Sequence, residues 1–368
     1  MKKFPVMALS DLTRDATNYS DLLNRFNSYA SHFSKFLDGD EVKLHLITKE
    51  LPSHFDLKSS IWPFLVIIQT KKSSFSYVSS LIKFVIRNRS SISLVIAGNP
   101  WKDFLFSLSI KLIFRIPIQV SIHGEPYKAA SGSLLTPGRL KNFWLKVFLR
   151  YADSIRIVSN HQIASLKSLY KVRESRIILS PIPVEIPSNN LIPKLKTTIA
   201  FVGRLHEERD PLLWLRIIRE LFNLRQDFSV IIIGDGPLRD EVRQYLRTHM
   251  PTLEYTMVGR ISHPEVQRYW NEISVLLSTA QNESFGLTLR EAQLAGVSVV
   301  ARRNSGTLAN ELEFGNSIRL FDTTREAVAA IDKAANTPNS EDNLLRIRLI
   351  QSQINQTSLN NLAESWKA

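Results

Sequence analysis

Gln281-Asn-Glu-Ser-Phe-Gly-Leu-Thr-Leu-Arg-Glu-Ala-Gln-Leu-Ala-Gly296 is the densest stretch of chemistry in this 368-residue chain. The apolar run just before it, Val275 to Thr279, reads as a strand, and apolar residues recur at helical spacing from about Thr288. Strand, glycine-containing loop and helix in succession make the strand-to-helix turn of a parallel sheet. Two carboxylates, Glu283 and Glu291, flank the loop. Backbone N–H groups at the start of such a helix, from Leu287 and Thr288, find no partner within it and carry a partial positive charge, which suits a diphosphate. A purely structural reading covers part of the same pattern. Thr288-x-x-Glu291 has the spacing of a capping box, which accounts for Glu291 but leaves Glu283 unexplained.

The rhythm extends outward from that turn. Further strands are expected at Thr198 to Val202, Ser229 to Ile233, Tyr255 to Val258 and Val297 to Ala301, with helix-length segments between them. The first half repeats the alternation, with strands expected at Val42 to Thr48, Phe64 to Gln69, Ser93 to Gly98, Ile118 to His123, Ile155 to Ser159 and Arg176 to Leu179. Between the halves, Ser180-Pro-Ile-Pro-Val-Glu-Ile-Pro187 and Pro193 break the pattern. The expected organisation is therefore α/β, with two doubly wound Rossmann-like domains facing a central cleft. The first spans 1–185, a linker 186–197, and the second 198–345. A helical segment over 346–368 either closes the structure or packs back on the first domain.

Composition narrows the chemistry. With 44% hydrophobic residues the chain has material for two cores. No cysteine is present, which removes disulfides, thiolate nucleophiles and thiolate zinc sites. The opening residues Met1-Lys-Lys-Phe-Pro5 lead directly into Ser10-Asp11 and Arg14-Asp15, without the apolar core of a signal peptide, so a cytoplasmic location is expected. The most apolar window, Phe104 to Val120, is interrupted by Lys111, Arg115 and Pro117 and reads as a buried helix followed by a strand rather than a membrane span.

Charge is distributed unevenly. Residues 1–190 hold 26 Lys and Arg against 13 Asp and Glu, whereas the remainder holds 21 of each. A basic half suggests an anionic partner, such as a lipid surface or an acidic acceptor; no recognisable nucleic-acid module is visible, and none is expected to bind. Within it, Arg139 to Arg150 places Leu140, Phe143, Trp144 and Val147 at helical spacing beside Lys141, Lys146 and Arg150. That pattern fits a helix lying on an anionic membrane surface and equally a helix packed on its own domain.

Glu283 and Glu291, with seven residues between them, resemble the Glu-x7-Glu signature of retaining glycosyltransferases, family four in particular, the glycosyl transferases group 1 type with the GT-B fold. Val202-Gly203-Arg204-Leu205, with Arg209 five residues beyond Arg204, resembles the family's Gly-Arg-Leu and the basic residue that follows it, though Arg stands here where Lys is usual. Ile233-Gly234-Asp235-Gly236-Pro237 is similar to a family landmark with a structural role; it reads as a turn with proline at the first helical position. Val258-Gly259-Arg260 resembles the loop beside the nucleobase, and Ser121-Ile-His123-Gly124 the active-site histidine. Ala152 to Ser159 resembles a strand-to-helix step, with Ser159 or Asn160 as the helix cap. The match is strong over about 198–322, loose over 116–185 and slight before that.

The resemblance implies a nucleotide-diphosphate sugar as donor, an unidentified acceptor, retention of configuration, no metal and no cofactor. It implies donor contacts from Gly203, Arg204, Arg209, Arg260, Phe285, Gly286, Leu287, Thr288 and Glu291. Arg204 and Arg209 would neutralise the departing diphosphate, Glu291 would take the ribose hydroxyls, Glu283 the sugar hydroxyls, and His123 would line the reacting centre. Two stretches depart from the family. The loop from Ala8 to Tyr19 lacks glycine, and Asn304-Ser-Gly-Thr-Leu-Ala-Asn-Glu311 replaces Gly-Gly-x-x-Glu, which leaves Glu311 without a transferable role. Asp38-Gly39-Asp40 has the spacing of a metal-binding Asp-x-Asp but the composition of a turn. Rival readings are an epimerase or phosphorylase of the same fold, or a non-catalytic basic protein that binds a membrane or nucleic acid.

Overall fold

The computed structural model describes residues 3–9, 19–37, 42–49, 62–71, 73–124, 137–187, 196–315, 317–337 and 339–367. They form two compact units, Met1–Pro181 with Gln356–Ala368, and Ile182–Asn355. The division falls at the start of the proline-rich stretch, earlier than the expected linker.

The first unit runs β1 (Phe4–Leu9), α1 (Tyr19–Phe36), β2 (Leu44–Lys49), β3 (Leu65–Thr70), α2 (Ser74–Asn88), β4 (Ile92–Ala97), α3 (Lys102–Phe114), β5 (Ile118–Ile122), α4 (Pro137–Phe148), β6 (Ser154–Ile157), α5 (His161–Ser168) and β7 (Ile177–Leu179). Its seven strands are ordered β3-β2-β1-β4-β5-β6-β7 and are parallel throughout. Tyr77, Leu81, Phe104, Leu145 and Leu166 put α2 to α5 on one face of the sheet. Leu23, Phe26, Tyr29 and Phe33 of α1 cover the other, together with Leu362, Ala363 and Trp366 from the end of the chain.

β1 was not among the expected strands, because Pro5 argues against a central position. The ladder to β4 accommodates it by a register shift between Phe4 and Pro5. The sequence left open which face α4 buries. Leu145 and Leu149 point into the core, while Phe143 and Trp144 are exposed by 58% and 47%; the helix then tightens into a 3₁₀ turn, Leu149–Tyr151.

The second unit runs β8 (Thr197–Val202), α6 (Pro211–Leu224), β9 (Phe228–Ile233), α7 (Arg239–His249), β10 (Glu254–Gly259), α8 (His263–Tyr269), β11 (Val275–Ser278), α9 (Leu287–Leu294), β12 (Ser298–Arg302), α10 (Ser305–Phe314), β13 (Ile318–Phe321), α11 (Thr324–Asn336) and α12 (Glu341–Trp366). The parallel order is β10-β9-β8-β11-β12-β13. β13 was not expected: at four residues, with Arg319 in its middle, it carries little alternation to read. α7 begins at Arg239, so Pro237 sits in the preceding turn and not at the first helical position. α12 crosses the division between the units, and its final residues serve the first unit, where Trp366 meets Phe33 edge-on at 5.4 Å.

Candidate functional site

β8 and β11 lie side by side, but the chain leaves them in opposite directions, through α6 to β9 and through α9 to β12. Such a divergence opens a crevice beyond the carboxyl ends of the two strands, where open α/β sheets bind ligands. A pocket occupies that place in the second unit, lined by Phe201, Val202, Arg209, Thr279, Glu283 and Thr288 among others.

The first wall comes from the turn after β8. Gly203 N–H donates to the Ile233 carbonyl at 2.9 Å, and the approach is so close that a Cβ on Gly234 would lie 1.9 Å from the Gly203 oxygen. Leu205 is buried and fixes the turn to the core, which brings Arg209 to the pocket in a 3₁₀ turn, Glu207–Arg209. Thr279 Oγ1 donates to the carbonyls of both Arg209 and Asp210 at 2.9 Å, tying this turn to the end of β11. Asp210 then starts α6 by accepting from Leu213 N–H at 3.1 Å, and Arg302 pairs with its other oxygen at 3.2 Å.

Arg209 forms an ion pair with Glu283, whose side chain is 9% exposed against 34% for the arginine. A partly desolvated pair of this kind is held more firmly than a surface pair. Glu283 is positioned by its backbone as well. Its N–H donates to Asn304 Oδ1 at 3.3 Å, and Gly306 approaches so closely that a Cβ there would sit 2.0 Å from the Glu283 carbonyl. Asn304 is also the cap of α10, accepting from the N–H groups of Gly306 and Thr307. The stretch that departs from the family pattern thus shapes the Glu283 loop through Asn304 and Gly306. Glu311 lies farther along α10, where its carbonyl accepts from Gly315 N–H. Arg204, by contrast, is directed to Glu208 at 3.1 Å with a 60% exposed side chain.

The loop reaches α9 through Gly286, which has φ +67 and serves as the helix cap. The expected Thr288–Glu291 capping box does not form, because the helix begins one residue earlier and Gly286 has no side chain to cap with. Glu291 is instead buried and hydrogen-bonded to His263 at 2.9 Å, with Gln267 at 3.2 Å from the same ring nitrogen. His263 was missed by sequence reasoning. It lies 28 residues from Glu291, and only the fold of β10 and α8 brings the two together. Arg260, at the same end of β10, is exposed.

Arg290 fixes α9 from behind. It is 1% exposed, donates to the Phe285 carbonyl at 3.1 Å and to Gln351 at 3.3 Å, pairs with Glu313, and lies 4.1 Å over the Phe285 ring. Burial lowers its pKa from the ordinary arginine value, and Glu313 supports the charge. Arg290 thereby holds Phe285 at both its carbonyl and its ring.

In the first unit, His123 follows β5 directly. Desolvation by surrounding protein, then the like charges of Arg156 and Arg25, lower its pKa, so the ring is neutral near pH 7. Its surface is nonetheless open to solvent, so hydration weakens the first cause, while the two arginines act in the same direction. The next turn holds Gly124, whose carbonyl accepts from Gln162 at 2.9 Å. Asn160 occupies the N-cap position of α5, as expected, but makes no side-chain cap hydrogen bond; Gln162 also accepts from the N–H groups of Val158 and Ser159, just before the helix. Asp38-Gly39-Asp40 and most of the glycine-free loop lie outside the described residues. Among the described residues no three metal-ligating side chains gather, and no helix is long and apolar enough to cross a membrane.

The family described as glycosyl transferases group 1 matches residues 184–346. A 2-deoxystreptamine N-acetyl-D-glucosaminyltransferase from Niallia circulans is 30% identical over 111 residues, 30% of this chain and only 28% of that protein's length. Among solved structures, the lipopolysaccharide outer core galactosyltransferase WaaB in its apo form superposes with a TM-score of 0.72 at 14% identity, covering 99% of this chain and 100% of the other. Anabaena HepE in complex with UDP and glucose does so at 0.64 with 14% identity, over 99% and 97%.

Proposed function

We propose that this chain, which belongs to the glycosyl transferases group 1 family and has the GT-B fold, is a retaining, metal-independent glycosyltransferase that moves a sugar from a nucleotide-diphosphate donor in glycan, cell-envelope or glycolipid synthesis. The observation that carries the reading is the Arg209–Glu283 pair at the β8/β11 switch point, beside the amino-terminal end of α9.

On this reading the second unit is the donor half. The free amides of Leu287 and Thr288 and the positive end of α9 receive the diphosphate, and Arg209 adds a full charge where negative charge grows as the glycosidic bond breaks. Glu283 takes sugar hydroxyls, and Glu291, fixed by His263, takes the ribose hydroxyls. Arg204 and Arg260 serve the diphosphate and the nucleobase from more exposed positions, and Gly203 lets the backbone come close. His123, neutral near pH 7, belongs to the acceptor half, where it can donate a hydrogen bond without adding charge. With cations and dipoles in these roles the leaving diphosphate needs no metal, and the working location is the cytoplasmic side of a membrane.

The test is release of nucleoside diphosphate from a panel of nucleotide sugars, beginning with UDP-sugars because HepE was solved with UDP. Release is expected to persist in EDTA, and the product is expected to keep the donor's anomeric configuration by NMR. Abolition by EDTA, or an inverted product, would overturn the mechanism.

A further inference from the structure

Every exposed large apolar side chain of the first unit, among the described residues, lies on α2 to α5 or immediately after α4 or α5; none lies on α1 or on the end of α12. The greatest local concentration is where α3 ends beside the turn after α4. Lys111 Nζ donates to the Tyr151 carbonyl at 2.8 Å and pairs with Asp153 at 2.6 Å, which holds these two segments together. Leu112 and Ile113 are 69% and 64% exposed, Phe143 and Trp144 58% and 47%, and Tyr151 50%. Trp144 stacks on Phe148 at 5.5 Å and meets Phe143 edge-on at 5.7 Å, so the aromatic group is ordered on the surface.

Cations surround these residues. Arg115 and Arg150 are exposed, and Arg176 donates to the Arg150 carbonyl at 2.7 Å. Across residues 102–150 the sequence carries eight Lys and Arg but only Asp103 and Glu125 as acids, and Asp103 is fully buried. Asp153, the acid that faces this group, is already neutralised by Lys111.

Apolar side chains of this size, standing in water within a basic rim, call for a partner that is apolar beneath and anionic at its surface. Aromatic residues and arginines are also enriched in protein interfaces, but a protein partner would have to bring its own acids to this basic rim, which an anionic bilayer supplies everywhere on its surface. RNA would take the arginines but gives Leu112 and Ile113 nothing to bury against. We propose that the end of α3, α4 and the Leu149–Tyr151 turn form a docking surface for a bilayer containing anionic phospholipid. Leu112, Ile113, Phe143 and Trp144 enter the interface, and Arg115, Lys146, Arg150 and Arg176 meet the headgroups. This deepens the reading of a protein that works at a membrane by assigning the surface that holds it there.

The test is co-sedimentation of the full chain with vesicles of phosphatidylcholine alone or mixed with phosphatidylglycerol. Binding is expected only to the mixed vesicles and is expected to weaken as salt is raised. The Phe143→Ser/Trp144→Ser and Leu112→Ser/Ile113→Ser variants are each expected to bind about tenfold more weakly, whereas Leu345→Ser/Leu349→Ser, exposed apolar residues of the second unit, leaves binding unchanged. Melting curves, with and without nucleoside diphosphate, confirm that each variant is folded and keeps its donor site. No binding to anionic vesicles at low salt, or equal binding by folded variants, would overturn the proposal. So would a dimer that the first two variants dissociate, which would assign the surface to a second copy. Each of these results leaves the donor-site reading standing, since that reading is judged by nucleotide binding.

Discussion

Arg209 and Arg204 differ in what they touch, and that difference gives the sharpest test at the residue scale. Arg209 is paired with the nearly buried Glu283 in the pocket, whereas Arg204 is engaged by the exposed Glu208. Replacing Arg209 or Glu283 by alanine is expected to lower nucleotide release by about two orders of magnitude, as for groups that act on the transition state. Arg204→Ala is expected to cost about tenfold or less, since an exposed ion pair contributes little. Equal losses at Arg204 and Arg209 would contradict the assignment. A second residue-scale prediction concerns pH. His45 stacks on Phe4 at 3.9 Å, and burial lowers its pKa, opposed by a hydrogen bond to the Lys43 carbonyl and assisted by the Lys43 charge. An unfolded histidine titrates near ~6.5, so below that pH the unfolded chain binds the extra proton first. The stability associated with neutral His45 is therefore present above ~6.5 and is lost as pH falls toward the depressed folded value. Melting temperature is expected to drop between pH 7 and pH 5, and His45→Phe, which keeps the stack, is expected to flatten that drop. An unchanged slope would show that His45 does not carry it.

At the scale of elements, the loop from Glu283 to Gly286 depends on how α9 is held. Arg290 joins α9 to α10 through Glu313 and to α12 through Gln351. Glu313→Ala leaves a buried cation without its partner and is expected to cost ~3–5 kcal/mol. Arg290→Met with Glu313→Leu removes both charges and is expected to cost less, because a buried pair replaced by apolar groups is often near neutral. Thermal melting of the two variants decides the point, and equal destabilisation would refute it. The alternation of strands and helices was legible in the sequence because each apolar run is bounded by turn residues. β1 was obscured by Pro5 and β13 by its brevity. The face that α4 buries could not be chosen from sequence because the helix carries apolar residues on two sides; packing selects Leu145, and Leu149 in the turn that follows. At the candidate site, Glu283 and the glycine loop stand out in local order, and Arg209 comes from the family resemblance. The partners that hold them, His263, Asn304 and Thr279, are set by the fold over 21 to 70 residues of separation, and no local pattern announces such pairs.

For the whole molecule, two parallel sheets each carry their own core, and one helix, α12, belongs to both units. The basic excess lies in the first half, with the exposed aromatic and aliphatic surface, while the pocket with Arg209 and Glu283 lies wholly in the charge-balanced second half. Donor recognition can therefore be measured without knowing the acceptor. A ligand that binds only the folded state raises stability by about 2.7 kcal/mol at a hundred times its Kd. The most direct measurement is a thermal-shift titration of the full chain with nucleoside diphosphates. At least one of them is expected to raise the melting temperature by several degrees, and Arg209→Ala is expected to abolish the shift. If no nucleoside diphosphate moves the wild-type transition, or if Arg209→Ala retains the full shift, the donor site does not lie at the β8/β11 switch point.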